Sequence, residues 1–155
     1  MADEFDFISA TDKPALLAFS TPEWLETAKA ALQELGYKVH TAATHSDFLI
    51  RFSQFRYQVV IVEELFAANS IEENATLGTL QNMPMARRRH STIILFGASF
   101  QTFTPMQAFQ QSVNAVINPS EVFLLRQLIE KAVGDSNFFL HSYREAQSTL
   151  YAEAR

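Results

Sequence analysis

The sequence predicts a doubly wound α/β domain, in which helices cover both faces of a parallel sheet. Three observations carry that expectation. The apolar runs "PALLAF", "QVVIV" and "STIILFG" are continuous rather than alternating, as strands buried on both faces require. Segments of helical period separate them. Helix-starting and helix-stopping residues fall at the joints between the two kinds of segment. At 155 residues with 48% hydrophobic content, the chain is long enough for one core of ordinary size and short for two domains.

The elements follow in order. Residues 1–13 show no sustained period and read as a mobile arm, in which Phe5, Phe7 and Ile8 are the candidates for packing. "PALLAF" is the first strand. "STPEWLETAKAALQELG" then places Trp24, Ala28, Ala31, Leu32 and Leu35 on one helical stripe. Its start is marked either by Ser20 and Glu23 as a capping box or by Thr21 ahead of Pro22, and Gly36 is a natural stop. "YKVHTA" reads as a second strand and "SDFLIRFSQF" as a helix with Phe48, Leu49, Phe52 and Phe55 on one face. "QVVIV" is the third strand. "ATLGTLQNM" is a weaker helix, interrupted by Gly78 and closed by Pro84, and "STIILFG" is the fourth strand. "TPMQAFQQSV" opens with Thr104 and Pro105 and is expected to turn Met106, Phe109 and Val113 inward. "NAVIN" is a short fifth strand. "PSEVFLLRQLIEKAVG" gives a strong helix through Val122, Leu125, Leu128, Ile129 and Ala132, with Gly134 as its expected end.

Five strands joined by helices leave few right-handed arrangements, and the flavodoxin-like order 2-1-3-4-5 is the commonest. The expected division is an arm at 1–13, a domain at 14–134 and a helical extension at 135–155. In that extension Phe139, Tyr143, Ala146 and Leu150 share a stripe.

Composition narrows the function classes. The chain has no cysteine, which excludes disulfides and thiolate metal sites and fits a reducing cytosol. No apolar run reaches the roughly 20 residues of a membrane helix, and the acidic "MADEFDF" start is the reverse of a signal peptide, so a cytoplasmic protein off the membrane is expected. A net charge of −5 disfavours nucleic acid as a partner. His40, His45, His90 and His141 have no metal-ligand spacing and read as surface or turn residues. Four glycines form no phosphate loop, and Ser20, Ser99 and Ser120 lack the context of a nucleophile elbow. An enzyme is disfavoured.

From Pro14 to Val133, the order and spacing of these pieces resemble the receiver domain of bacterial two-component response regulators. The most suggestive stretch is "STPEWLETAKAALQELGYKV", which is similar to the first helix and second strand of many receivers. The resemblance implies a site at the carboxyl ends of the strands, and there the chain departs from the family. Where receivers end strand one with an acidic pair that helps hold Mg²⁺, this chain has Phe19 and Ser20. Where an aspartate accepts the phosphoryl group, it has Glu63. Gly97 replaces the Thr or Ser of strand four, Asn118 the lysine of strand five, and Ala115 the aromatic switch residue.

Mg²⁺ demands hard oxygen ligands, which a phenylalanine ring cannot supply. Losing even one preorganised electrostatic donor commonly costs about 10²–10³ in rate. The expectation is therefore a pseudo-receiver: a non-catalytic signalling or scaffolding module of phosphorelay ancestry, with no cofactor and with an unknown protein as partner. Glu63 has two readings, a charge that mimics the phosphorylated state or a solvated carboxylate; its neighbour Glu64 reads as loop. The basic run Arg87, Arg88, Arg89, His90 either binds a phosphate or acidic partner or is a solvated connection, and the second is favoured. The tail stripe of Phe139, Tyr143 and Leu150 folds back, swaps onto a partner or docks on a second copy, and an interaction role, including a homodimer, is favoured. The alternative function is a small-ligand or nucleotide sensor whose pocket is remodelled by Phe19 and Gly97.

Overall fold

The structure is a computed structural model and describes residues 8–153. Its strands are β1 (Lys13–Ala18), β2 (Tyr37–Ala42), β3 (Val59–Glu63), β4 (Thr92–Phe96) and β5 (Ala115–Ile117). They form one sheet in the order β2-β1-β3-β4-β5, and every pairing is parallel. The helices are α1 (Pro22–Glu34), α2 (His45–Gln54), α3 (Ala75–Asn82), the single turn α4 (Met85–Arg88), α5 (Pro105–Gln110) and α6 (Leu125–Glu153), with a 3₁₀ segment at Pro119–Leu124. The doubly wound order expected from the apolar runs is the order observed. Among the described residues no helix is long and apolar enough to cross a membrane.

Successive side chains of a strand point to opposite faces, and here both faces are covered. Leu17, Ile61, Ile94 and Ile117 pack under α1 and α6, against Ala28, Leu32, Leu125 and Ile129. Leu16, Val60 and Ile93 face the other way, against Phe48 of α2 and Leu80 of α3. A third cluster joins Leu95 and Val116 to Leu77, Phe100 and Ala108. Gly36 ends the α1 region in the left-handed conformation at φ 86°, which a residue with a Cβ rarely adopts. Of the expected N-terminal arm, residues 1–7, including Phe5 and Phe7, lie outside the described residues, while Ile8 packs against the second cluster.

Several local expectations are corrected. Gly134 does not end a helix: α6 runs through it for 29 residues, and the tail stripe belongs to that same helix. One glycine costs a helix about 1 kcal/mol, which the burial of Leu125, Ile129 and Ala132 readily offsets. Met106 and Phe109 point outward, 63% and 79% exposed, because the six-residue α5 turns only Ala108 fully inward. Leu49 is likewise exposed, leaving Phe48 as the buried anchor of α2. His40 is no surface residue. Its Nδ1 lies 2.7 Å from the Tyr57 hydroxyl in the core.

Candidate functional site: the carboxyl end of the sheet

In open α/β sheets ligands gather beyond the carboxyl ends of the strands. Here that end is filled by the protein's own side chains. Glu63, the last residue of β3, is 3% exposed, so the solvated reading does not hold. Its Oε2 accepts from the Ser20 N–H and its Oε1 from the Thr21 N–H, both at 3.2 Å. Thr21 is the N-cap of α1, yet its own side chain makes no capping bond. Glu63 instead places a negative charge across the sheet at that helix start, where the helix dipole favours it.

Glu64 is not free loop either. Its backbone N–H donates to the Phe96 carbonyl at 2.8 Å, and its side chain turns toward the loop after β4. There Oε2 accepts from the Ser99 hydroxyl at 2.6 Å and Oε1 from the Ser99 N–H at 3.2 Å. This packing needs Gly97, because a Cβ at that position would overlap the Glu64 side chain. The two neighbouring carboxylates thus tie down opposite loops.

The remaining polar groups complete a closed network. Asn74, buried at the start of α3, donates from Nδ2 to the carbonyls of Glu63 and Glu64 at 3.0 and 3.1 Å. Its Oδ1 accepts from the Leu77 N–H and so caps α3. The Ser20 hydroxyl accepts from the Ala67 N–H at 2.7 Å, holding a residue with φ 48°. His45 accepts at Nδ1 from the Thr76 N–H, which leaves Nε2 as the nitrogen facing the Ala67 carbonyl at 3.3 Å. Asn118 donates to the Phe100 carbonyl at 2.7 Å and caps the following 3₁₀ turn through Ser120.

Phe19 turns into the core, its ring 5.5 Å from that of Phe96. A divalent cation would need oxygen ligands from this strand end, but Phe19 offers none and both Glu63 oxygens face backbone N–H groups. The residues present do not fit Mg²⁺. Glu63, Ser20, Gly97 and Asn118 therefore do converge on one end of the sheet. Ala115 does not: it pairs with Ile94 at the start of β5 and packs toward α6. Glu64, Ser99 and Asn74 are additions that sequence reasoning missed. The small residue at Gly97 and the cap-like Asn74 before an apolar helix were the available signals.

A second region lies beside the β5 edge. A groove of about 810 Å³ opens between α4, α5 and α6, lined among others by Met85, Phe109, Phe103 and Phe139. Arg88 is buried at its floor and donates to the carbonyls of Leu80, at 2.7 Å, and Ser112. It is thus a structural tie rather than part of a solvated run, and its burial lowers the guanidinium pKa below the usual arginine value. Arg87 and Arg89 are exposed, and Arg89 lies along Tyr143, with Nη1 3.3 Å from the hydroxyl. Leu150 stands further out on the same helix, 67% exposed.

A scan against protein-family models finds no match, and a search of curated proteins finds none. Solved structures do match. The chain is similar to the chemotaxis response regulator CheY4 of Vibrio cholerae, at 14% identity and TM-score 0.62 over 79% of this chain and 99% of that one. It is similar to a CheY-like receiver domain protein from Methanospirillum hungatei JF-1, at 16% identity and TM-score 0.61 over 82% and 98%. NtrX from Brucella abortus matches at 14% identity and TM-score 0.64 over 90% of this chain, which spans only 29% of the NtrX chain. The fold is that of a response regulator receiver domain, with a long C-terminal helix.

Proposed function

We propose that this chain is a non-catalytic pseudo-receiver, a protein-interaction module of two-component ancestry that lacks both the phosphoacceptor aspartate and the Mg²⁺-binding acids. The observation that carries the reading is the placement of Glu63. A phosphoryl acceptor must present a free carboxylate oxygen in line with the incoming group, beside a metal that neutralises charge. Glu63 is buried, with its two oxygens directed to backbone N–H groups, and Phe19 sits in the core where a metal ligand would stand. The phosphate-mimic reading gains nothing from this geometry, because the carboxylate faces the β1–α1 loop rather than Gly97 or Asn118. The sensor reading loses its pocket, since the room left by Gly97 is taken by Glu64.

The partner is a protein, met in the cytoplasm through the groove beside β5 and the surface of α6. The acidic net charge and the internal use of Arg88 both argue against a polyanion. The decisive experiment is incubation with acetyl phosphate and Mg²⁺ followed by intact mass. An unchanged mass is expected, and a stoichiometric phosphoryl adduct would overturn the proposal.

A further inference from the structure

Arg88 is a buried cation without a counter-ion. It is 7% exposed, and among the described residues no carboxylate lies within ion-pair distance of it. The Leu80 and Ser112 carbonyls satisfy two of its N–H groups, but a carbonyl does not cancel a charge. Charges buried in folded proteins are as a rule paired, because a desolvated ion alone is costly. Arg88 lies at the floor of the groove between α4, α5 and α6, whose volume of about 810 Å³ falls within the span of small-molecule sites, on the order of 300–1,000 Å³.

The other groups that line the groove leave this charge standing. Arg89 has its guanidinium carbon 5.7 Å from the centre of the Tyr143 ring and, among the described residues, no carboxylate partner either. Asp135 is the acid on the lining, and Lys131 already holds it at 2.7 Å. Burial first, and then Arg56 and Arg89, keep the His90 pKa below its ordinary value, so the positive charge is felt by its neighbours. Ser136, 9% exposed on α6, also lines the groove, and its hydroxyl makes no hydrogen bond among the described residues. The walls are aromatic, with Phe103, Phe109 and Phe139 beside Met85.

We infer that this groove is a binding site for an aromatic monocarboxylate, with its rings among the phenylalanines and its carboxylate toward Arg88 and Arg89. Charge selects the anion, since it supplies the counter-ion that the protein withholds, and an arginine fork matches a carboxylate. The net charge of −5 on the whole chain limits that anion to a small charge, because a polyanion is repelled. The walls select the body, since aromatic rings gain from edge and offset contacts beyond the area they bury. Ser136 offers the remaining hydrogen bond. This goes beyond the interaction-module reading, because a ligand seated here fills surface that a protein partner would otherwise meet.

The test is equilibrium dialysis of the full chain against naphthoate, with naphthamide as the comparator of the same rings and no charge. Naphthoate is expected to bind saturably, less tightly as salt rises, and about tenfold more tightly than naphthamide. Arg89→Gln and Phe109→Glu alter exposed side chains, and each should weaken naphthoate about tenfold without lowering Tm. Arg87→Gln, which lies outside the groove, should leave the affinity unchanged. Absence of saturable uptake at millimolar naphthoate overturns the inference. So does naphthamide binding as tightly as naphthoate, or an Arg87→Gln effect equal to that of Arg89→Gln, which would mark diffuse attraction rather than a site.

Discussion

The carboxyl end of the sheet and the groove-and-tail side of the molecule are treated in opposite ways by the same chain. At the strand ends the polar side chains bond inward: Glu63 holds the loop after β1, Glu64 holds the loop after β4, and Asn74 joins the two backbones. Beside β5 and along the tail of α6, large apolar side chains stay uncovered, with Met85, Phe109, Phe139 and Leu150 all more than 60% exposed. Buried polar groups that are fully bonded fix one conformation, whereas clustered exposed apolar groups mark a surface that another body covers. The comparison teaches that this chain spends the carboxyl end of its sheet on internal bonds and leaves its uncovered apolar surface at the side.

Placing an acid at the end of strand one breaks the comparison most strongly. Phe19→Asp removes a packed ring and buries a carboxylate, so a loss of about 3–5 kcal/mol is expected by urea unfolding. A near-neutral result would mean that the strand end is open after all. Gly97→Ala forces Glu64 away from Ser99 and should cost about 1–3 kcal/mol in the same measurement. Glu63→Ala strands two backbone donors and should cost about 1–2 kcal/mol, with Glu63→Gln closer to wild type. On the other side, Leu150→Ala should change the monomer's stability by no more than about 0.5 kcal/mol.

The smallest effect concerns pH. Burial, with the positive charges of Arg56 and Arg89 adding to it, holds His90 below its ordinary value of 6.5. The unfolded chain therefore takes up this proton first as pH falls, so the group's contribution is intact above 6.5 and is lost as pH drops toward its lowered folded value. Comparing Tm at about pH 7.5 and about pH 5.5 should show a smaller decline for His90→Gln than for wild type.

The fold was legible because it is written in periods. Continuous apolar runs specified strands covered on both faces, and the stripes of α1 and of the start of α6 specified their burial. The seat of Glu63 at a strand end was equally legible, since the strand's length placed it there. What it bonds to was not, because the Ser20 and Thr21 N–H groups come from a loop 43 and 42 residues away in sequence. Glu64 was misread for the same reason: nothing local distinguishes a loop carboxylate from one that fills the space above Gly97. Arg88 looked like one of three equivalent arginines, and only the approach of the Leu80 and Ser112 carbonyls separates it from Arg87 and Arg89. Phe109 was assigned inward from helical period, but a helix of six residues is too short for its stripe to decide its own orientation.

The central claim is that the strand end is a fixed, self-satisfied network. The most direct measurement follows the backbone amides of Ser20, Thr21 and Ser99 by NMR, first for hydrogen exchange and then during addition of Mg²⁺ and acetyl phosphate. All three amides should exchange slowly in the wild type, those of Ser20 and Thr21 should lose protection in Glu63→Ala, and none should shift on addition. Saturable shifts at these amides, or fast exchange in the wild type, would contradict the account.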